Sequence, residues 1–163
     1  SLQVAALDKL LWLYLRLLFT YNALQRFLER TSRDRIAQDI DRIERRMATL
    51  DPQDASAQAQ KIRGTLSDNL ATSQDRLRNY DRAQANYEFV ELEIDRLENK
   101  IASLAEVAVN RQEPAFVSNQ VDQVAHSMVQ TEKAMNDLQV FTGLAELDDE
   151  VPVLLDTNRT STR

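Results

Sequence analysis

Between Ala55 and Val109 the chain contains no proline and a single glycine, Gly64, while apolar residues recur every three or four positions. A stretch of that length without a breaker, carrying a helical period, predicts one continuous helix. Its apolar positions open as Ala59, Ile62, Leu66, Leu70, Leu77 and Tyr80. They continue as Ala83, Tyr87, Val90, Ile94, Leu97, Ile101, Leu104 and Ala108. The seam shifts phase between Leu77 and Ala83, a stutter that locally changes supercoiling. Asn110-Arg-Gln-Glu-Pro114 ends the helix, and Pro114 suits the first turn of the next one.

The segment before it reads as a second long helix, residues 2–50. Residues 2–28 are the most apolar part of the chain and hold five of its ten aromatics: Trp12, Tyr14, Phe19, Tyr21 and Phe27. Residues 29–35 are polar but contain no glycine or proline, so the helix is expected to run through them. The pattern then narrows to Ile36, Ile40, Ile43, Met47 and Leu50, spaced 4, 3, 4, 3 as in a coiled-coil seam. Asp51-Pro52 stops the helix, because the residue before proline disfavours helical backbone. Asp54 or Ser56 can cap the helix that follows.

A third helix, 114–142, carries heptads at Val117, Val121, Val124, Met128, Thr131, Met135 and Leu138, with Gly143 as a natural cap. Residues 144–163 form an acidic and apolar tail. Its Val151-Pro-Val-Leu-Leu155 run folds back or offers an extended peptide to a partner. The domain is thus 1–143, with helices at about 2–50, 55–109 and 114–142. Two glycines and three prolines leave little with which to build hairpin turns, which excludes a sheet-rich fold.

Reversing direction near Pro52 places Ile36 opposite Leu70, Ile40 opposite Leu66, Ile43 opposite Ile62 and Met47 opposite Ala59. The same register puts Leu28 opposite Leu77, Leu18 near Tyr87 and Leu11 near Ile94. Folding the third helix back at Pro114 sets it beside roughly Tyr87 to Leu104, the half that also receives residues 7–28. The expected fold is therefore all-α: a long antiparallel hairpin, a two-stranded coiled coil on the order of 70–80 Å long, widening into a three-helix bundle. The first helix would be broadly apolar where two neighbours cover it and narrow where one does.

Composition limits the function. A net charge of −6 argues against a general nucleic-acid binder. The absence of cysteine excludes thiol catalysis and zinc-finger sites and suits a reducing, cytoplasmic setting. His126, the sole histidine, lies off the third helix's seam, where it is a surface residue rather than a base or ligand. No Glu-x-x-His pair of the kind a di-iron bundle needs occurs, and phosphate loops need glycines that the chain lacks. We therefore expect no enzyme activity, no metal and no cofactor.

Three surfaces are candidates for binding. Trp12, Tyr14, Phe19, Tyr21 and Phe27 supply more apolar surface than one core face needs, and exposed patches mark interfaces. The expectation is a homodimer through these residues; the alternative is a peripheral membrane protein with this helix in the lipid interface. The uncharged run Leu17–Gln25 is far short of the ~20 residues that span a bilayer. The arginines Arg26, Arg30, Arg33, Arg35, Arg42, Arg45 and Arg46 could hold phosphates or anionic lipid. Glu29–Arg33, Arg30–Asp34 and Asp41–Arg45 are nevertheless spaced as i,i+4 pairs, which makes a solvated, salt-bridged face the simpler reading. The acidic stripe Glu88, Glu91, Asp95 and Glu98 would pair with Arg16 and Lys9 of the first helix. Other partners would meet the turn at residues 50–57 or the C-terminal tail. Ser1 in place of Met is consistent with a part of a larger, membrane-associated protein.

Overall fold

The computed structural model describes residues 2–110 and 114–142; the expected cap at Gly143 and the tail at 144–163 lie outside them. The described residues are helical, with four helices and no strand: α1 (Leu2–Arg30), α2 (Arg33–Ala48), α3 (Ala57–Val109) and α4 (Pro114–Thr142). α3 runs unbroken from Ala57, two residues inside the expected start at Ala55, to Val109, and α4 begins on Pro114 as expected.

The expected helix over 2–50 is two helices. Ser32 leaves the helix (φ −103°, ψ 115°) and its Oγ accepts from the Arg35 N–H at 3.3 Å, so it is the N-cap of α2. A hydroxyl side chain that satisfies an orphan helix donor offers the backbone an alternative to continuing the previous helix. Asp34 in the first turn of α2 and Arg45 and Arg46 in its last turn complement the helix dipole. α2 ends at Ala48, slightly before the predicted Leu50. Thr49 closes it, with its N–H and its Oγ1 both donating to the Arg46 carbonyl.

The connection to α3 satisfies its own polar groups. Asp51 Oδ1 accepts from the Gln53 N–H and Asp54 Oδ1 from the Ser56 N–H, each at 2.9 Å. Of the two expected caps, Ser56 is the residue used: its Oγ accepts from the Ala59 N–H at 3.2 Å. Arg63 reaches back to the carbonyls of Asp51 and Asp54. Hydrogen bonds donated by the Ser56 backbone N–H and by its hydroxyl hold the Asp54 carboxyl below the usual carboxylate range.

The chain divides into two compact units, one formed by residues 2–23 with the described residues from 87 onward, the other by Leu24–Asn86. In the first, Leu10, Leu13 and Leu17 of α1, Val90, Ile94 and Leu97 of α3, and Val121, Val124 and Thr131 of α4 are buried. Each fully buried leucine contributes about 1.5–3 kcal/mol. In the second, Leu24, Ile36, Ala59 and Ala83 are buried. Ser73 is buried too, filling the gap between Leu70 and Leu77 that the apolar pattern leaves in α3. A seam can pass through a small polar residue, and an apolar count misses it. Of the expected α4 seam, Val117, Met128, Met135 and Leu138 have side chains outside the described set.

Candidate functional site

The five aromatics singled out on α1 have different environments. Tyr14 Oη donates to Glu98 Oε1 at 2.6 Å, and that bond to an anion raises the phenol pKa above its ordinary value. Tyr21 stacks on Tyr87 with ring centroids 4.8 Å apart and accepts a 2.7 Å hydrogen bond from the Tyr87 hydroxyl. Tyr87 thus meets Tyr21, one turn along from the Leu18 expected beside it. Trp12 is half-buried, and its indole N–H is buried without an acceptor among the described residues. Phe19 is 60% exposed. Phe27 belongs to the other unit, where it packs against Tyr80 at 6.3 Å.

What emerges on the outside of α1 is an aliphatic strip rather than an aromatic one. Leu7 is 37% and Leu15 38% exposed, and Leu11 and Leu18 are half-buried between them. At 100° per residue, Leu7, Leu11, Leu15 and Leu18 lie on one side of the helix, with Phe19 at its edge. The buried Leu10, Leu13, Leu17 and Leu24 take a different side, and the buried Asp8 falls between Leu15 and Phe19. A leucine-rich helix with apolar residues nearly all round satisfies its core and has apolar surface left over.

The charges of this unit are arranged differently from the sequence expectation. Lys9 bonds Glu132 of α4 at 3.1 Å rather than Glu98, and Glu98 is taken by Tyr14. Arg16, expected beside the exposed Glu91, is itself buried. Spacing on two helices cannot foresee the third, which competes for the same cation. α4 also contributes Thr131 to a small, partly buried polar cluster. Arg96 Nη2 donates to Glu93 at 2.9 Å and to Thr131 Oγ1 at 2.5 Å, and Thr131 Oγ1 donates to Glu93. Thr131 is buried at a heptad position, so its satisfied hydroxyl ties α4 to one place along α3.

In the other unit, Arg33 cannot form the expected pair with Glu29, nor Arg30 with Asp34, because the break at Ser32 destroys the i,i+4 spacing. Arg33 instead makes a two-pronged contact with Asp81 at 2.7 and 3.3 Å. That guanidinium holds the Asp81 carboxyl below its ordinary pKa. Asp41–Arg45 forms as expected at 2.9 Å. A groove of about 500 Å³ opens between α2 and α3, lined by Arg42, Ile43, Arg45, Arg46, Thr49, Leu66 and Asn69.

His126 is exposed on α4. Among the described residues no three of His, Cys, Asp or Glu stand close enough to hold a metal ion. Among them, too, no helix is long and apolar enough to cross a membrane. The chain matches no family model, no curated protein and no solved structure.

Proposed function

We propose that this chain is a non-enzymatic helical interaction module that forms homodimers through the outward face of α1. It serves as a scaffold or regulatory part of a larger, membrane-associated protein, on the cytoplasmic side. The observation that carries this reading is the strip Leu7–Leu11–Leu15–Leu18 with Phe19: apolar, partly exposed, and on a different side of α1 from its buried leucines. A monomer gains nothing by holding such a strip in water, whereas a second copy removes it at about 25 cal/mol per Å² of apolar surface.

The finer architecture belongs to the same proposal. Within one unit, the pairings Tyr14–Glu98 and Tyr21–Tyr87 descend along α3 as they rise along α1. They support antiparallel packing of α1 on α3 within a proposed three-helix bundle of α1, α3 and α4; for the other unit a two-stranded α2–α3 coiled coil is proposed from the hairpin register alone.

The alternative, α1 lying in a lipid interface, uses the same strip. Interfacial helices add cations that meet anionic headgroups. Here Lys9 is bound to Glu132 and Arg16 is buried, which favours a protein partner over lipid.

Light scattering across a concentration series tests the proposal. We expect twice the 18.7 kDa chain mass, and a monomer of unchanged helix content for Phe19→Asp with Leu15→Asp. A wild-type monomer, or binding to anionic vesicles lost in the same variant, would overturn self-association.

A further inference from the structure

α2 and α3 close their shared seam only in part: Ile36 and Ala59 are buried. Ile40, Ile43 and Met47 of α2, and Ile62, Leu66 and Leu70 of α3, are all only half-buried, although each was expected to find an apolar partner across the hairpin. The first unit, with three helices, buries Leu10, Leu13, Leu17 and Leu97 almost completely. Two helices alone leave both flanks of the seam open, and burying them takes a third.

One flank of that seam is the groove whose floor is Ile43 and Leu66. It is an open groove of about 500 Å³ on the surface of the pair. Arg42, Arg45 and Arg46 line it, joined by the neutral Thr49 and Asn69, and no carboxylate lines it. Arg42 bonds Asp39 and Arg45 bonds Asp41, each at 2.9 Å and each largely exposed. Exposed pairs of this kind contribute about 0–1 kcal/mol, so they exchange readily for a better partner. A guanidinium also has five donors and can keep one carboxylate while taking another. Among the described residues no carboxylate pairs with Arg46 at all.

We propose that this groove receives an acidic amphipathic helix from a partner protein. Its apolar stripe would lie on Ile43 and Leu66, and its flanking Glu or Asp side chains on Arg42, Arg45 and Arg46. The apolar floor is unused by a free phosphate or a nucleic-acid backbone, which would need only the arginines. The described residues have no sheet edge on which an extended peptide could add. A helix laid along the groove satisfies floor and rim together. This site is separate from the α1 strip and does not depend on self-association.

Panning a displayed library of heptad-patterned helices against the full chain tests it. The library fixes leucine at the seam positions and leaves Glu, Lys or Gln free at the flanking ones. We expect at least tenfold enrichment of Glu over Lys at the flanks. A selected peptide should bind at least tenfold more weakly to Arg46→Glu, and Arg42→Glu should act in the same direction. Phe19→Asp should leave binding unchanged. Circular dichroism of each variant verifies that the fold is kept. Enrichment of Lys or of no charge would overturn the proposal, as would a loss below threefold in both arginine variants. Peptide displacement by inorganic phosphate or by anionic vesicles, without dependence on the leucines, would assign the arginines to a phosphate ligand and overturn it as well.

Discussion

At the scale of single residues, Ser32 has the largest consequence for its size. Its hydroxyl accepts one orphan N–H and thereby separates α1 from α2. Replacing an N-cap serine by alanine costs about 1 kcal/mol, so Ser32→Ala should lower the urea midpoint without changing the slope. The signal was present in the chain: a Ser followed two positions later by an Asp that suits the first turn. It is quieter than a proline, because every neighbour from Glu29 to Arg35 other than Thr31 and Ser32 is compatible with helix. The Arg33–Asp81 pair makes a pH prediction. Asp81 titrates below its usual 3.8 because Arg33 favours the carboxylate. A depressed carboxyl contributes stability that is present above the unfolded value and is lost as pH falls through the folded one. Carboxyl carbon NMR should place Asp81 below 3.8, and Arg33→Gln should return it toward that value.

At the scale of elements, α3 shows how far periodicity reaches. Its length follows from the absence of breakers, and its ends from Ser56 and the stretch before Pro114. Gly64 is the one weak point within it. It lies in the helix interior, and a Cβ added there meets nothing within 4 Å. Gly64→Ala should therefore stabilise the protein by about 0.5–1 kcal/mol, read as a rise in thermal midpoint. Ser73 marks where the apolar pattern fails as a guide to burial, whereas Thr131 is buried at the heptad position the spacing assigned to it. Both are polar residues on seam positions, and both are buried. Thr131 is accommodated only because Glu93 and Arg96 of another helix meet it, a coincidence invisible along either segment alone.

At the scale of the whole molecule, the prediction is one of association. Light scattering should give a dimer that the paired Leu15 and Phe19 substitutions dissolve. The amino-acid sequence alone determined that the described residues are helical, that two of the three breaks fall at the 49–56 connection and before Pro114, and that α1 carries more apolar surface than one core face requires; the third break, at Ser32, it did not announce. These are local matters: breakers act on their own backbone, and a period is counted within one segment. Only the tertiary structure decided which side of α1 is core and which is strip, that Lys9 meets Glu132, and that Tyr14 rather than Lys9 takes Glu98. The physical reason is rotational. A helix with leucines almost all round has no preferred face of its own, and its rotation about its axis is set by the helices packed against it. Once that rotation is set, so is the choice of which cation reaches which carboxylate.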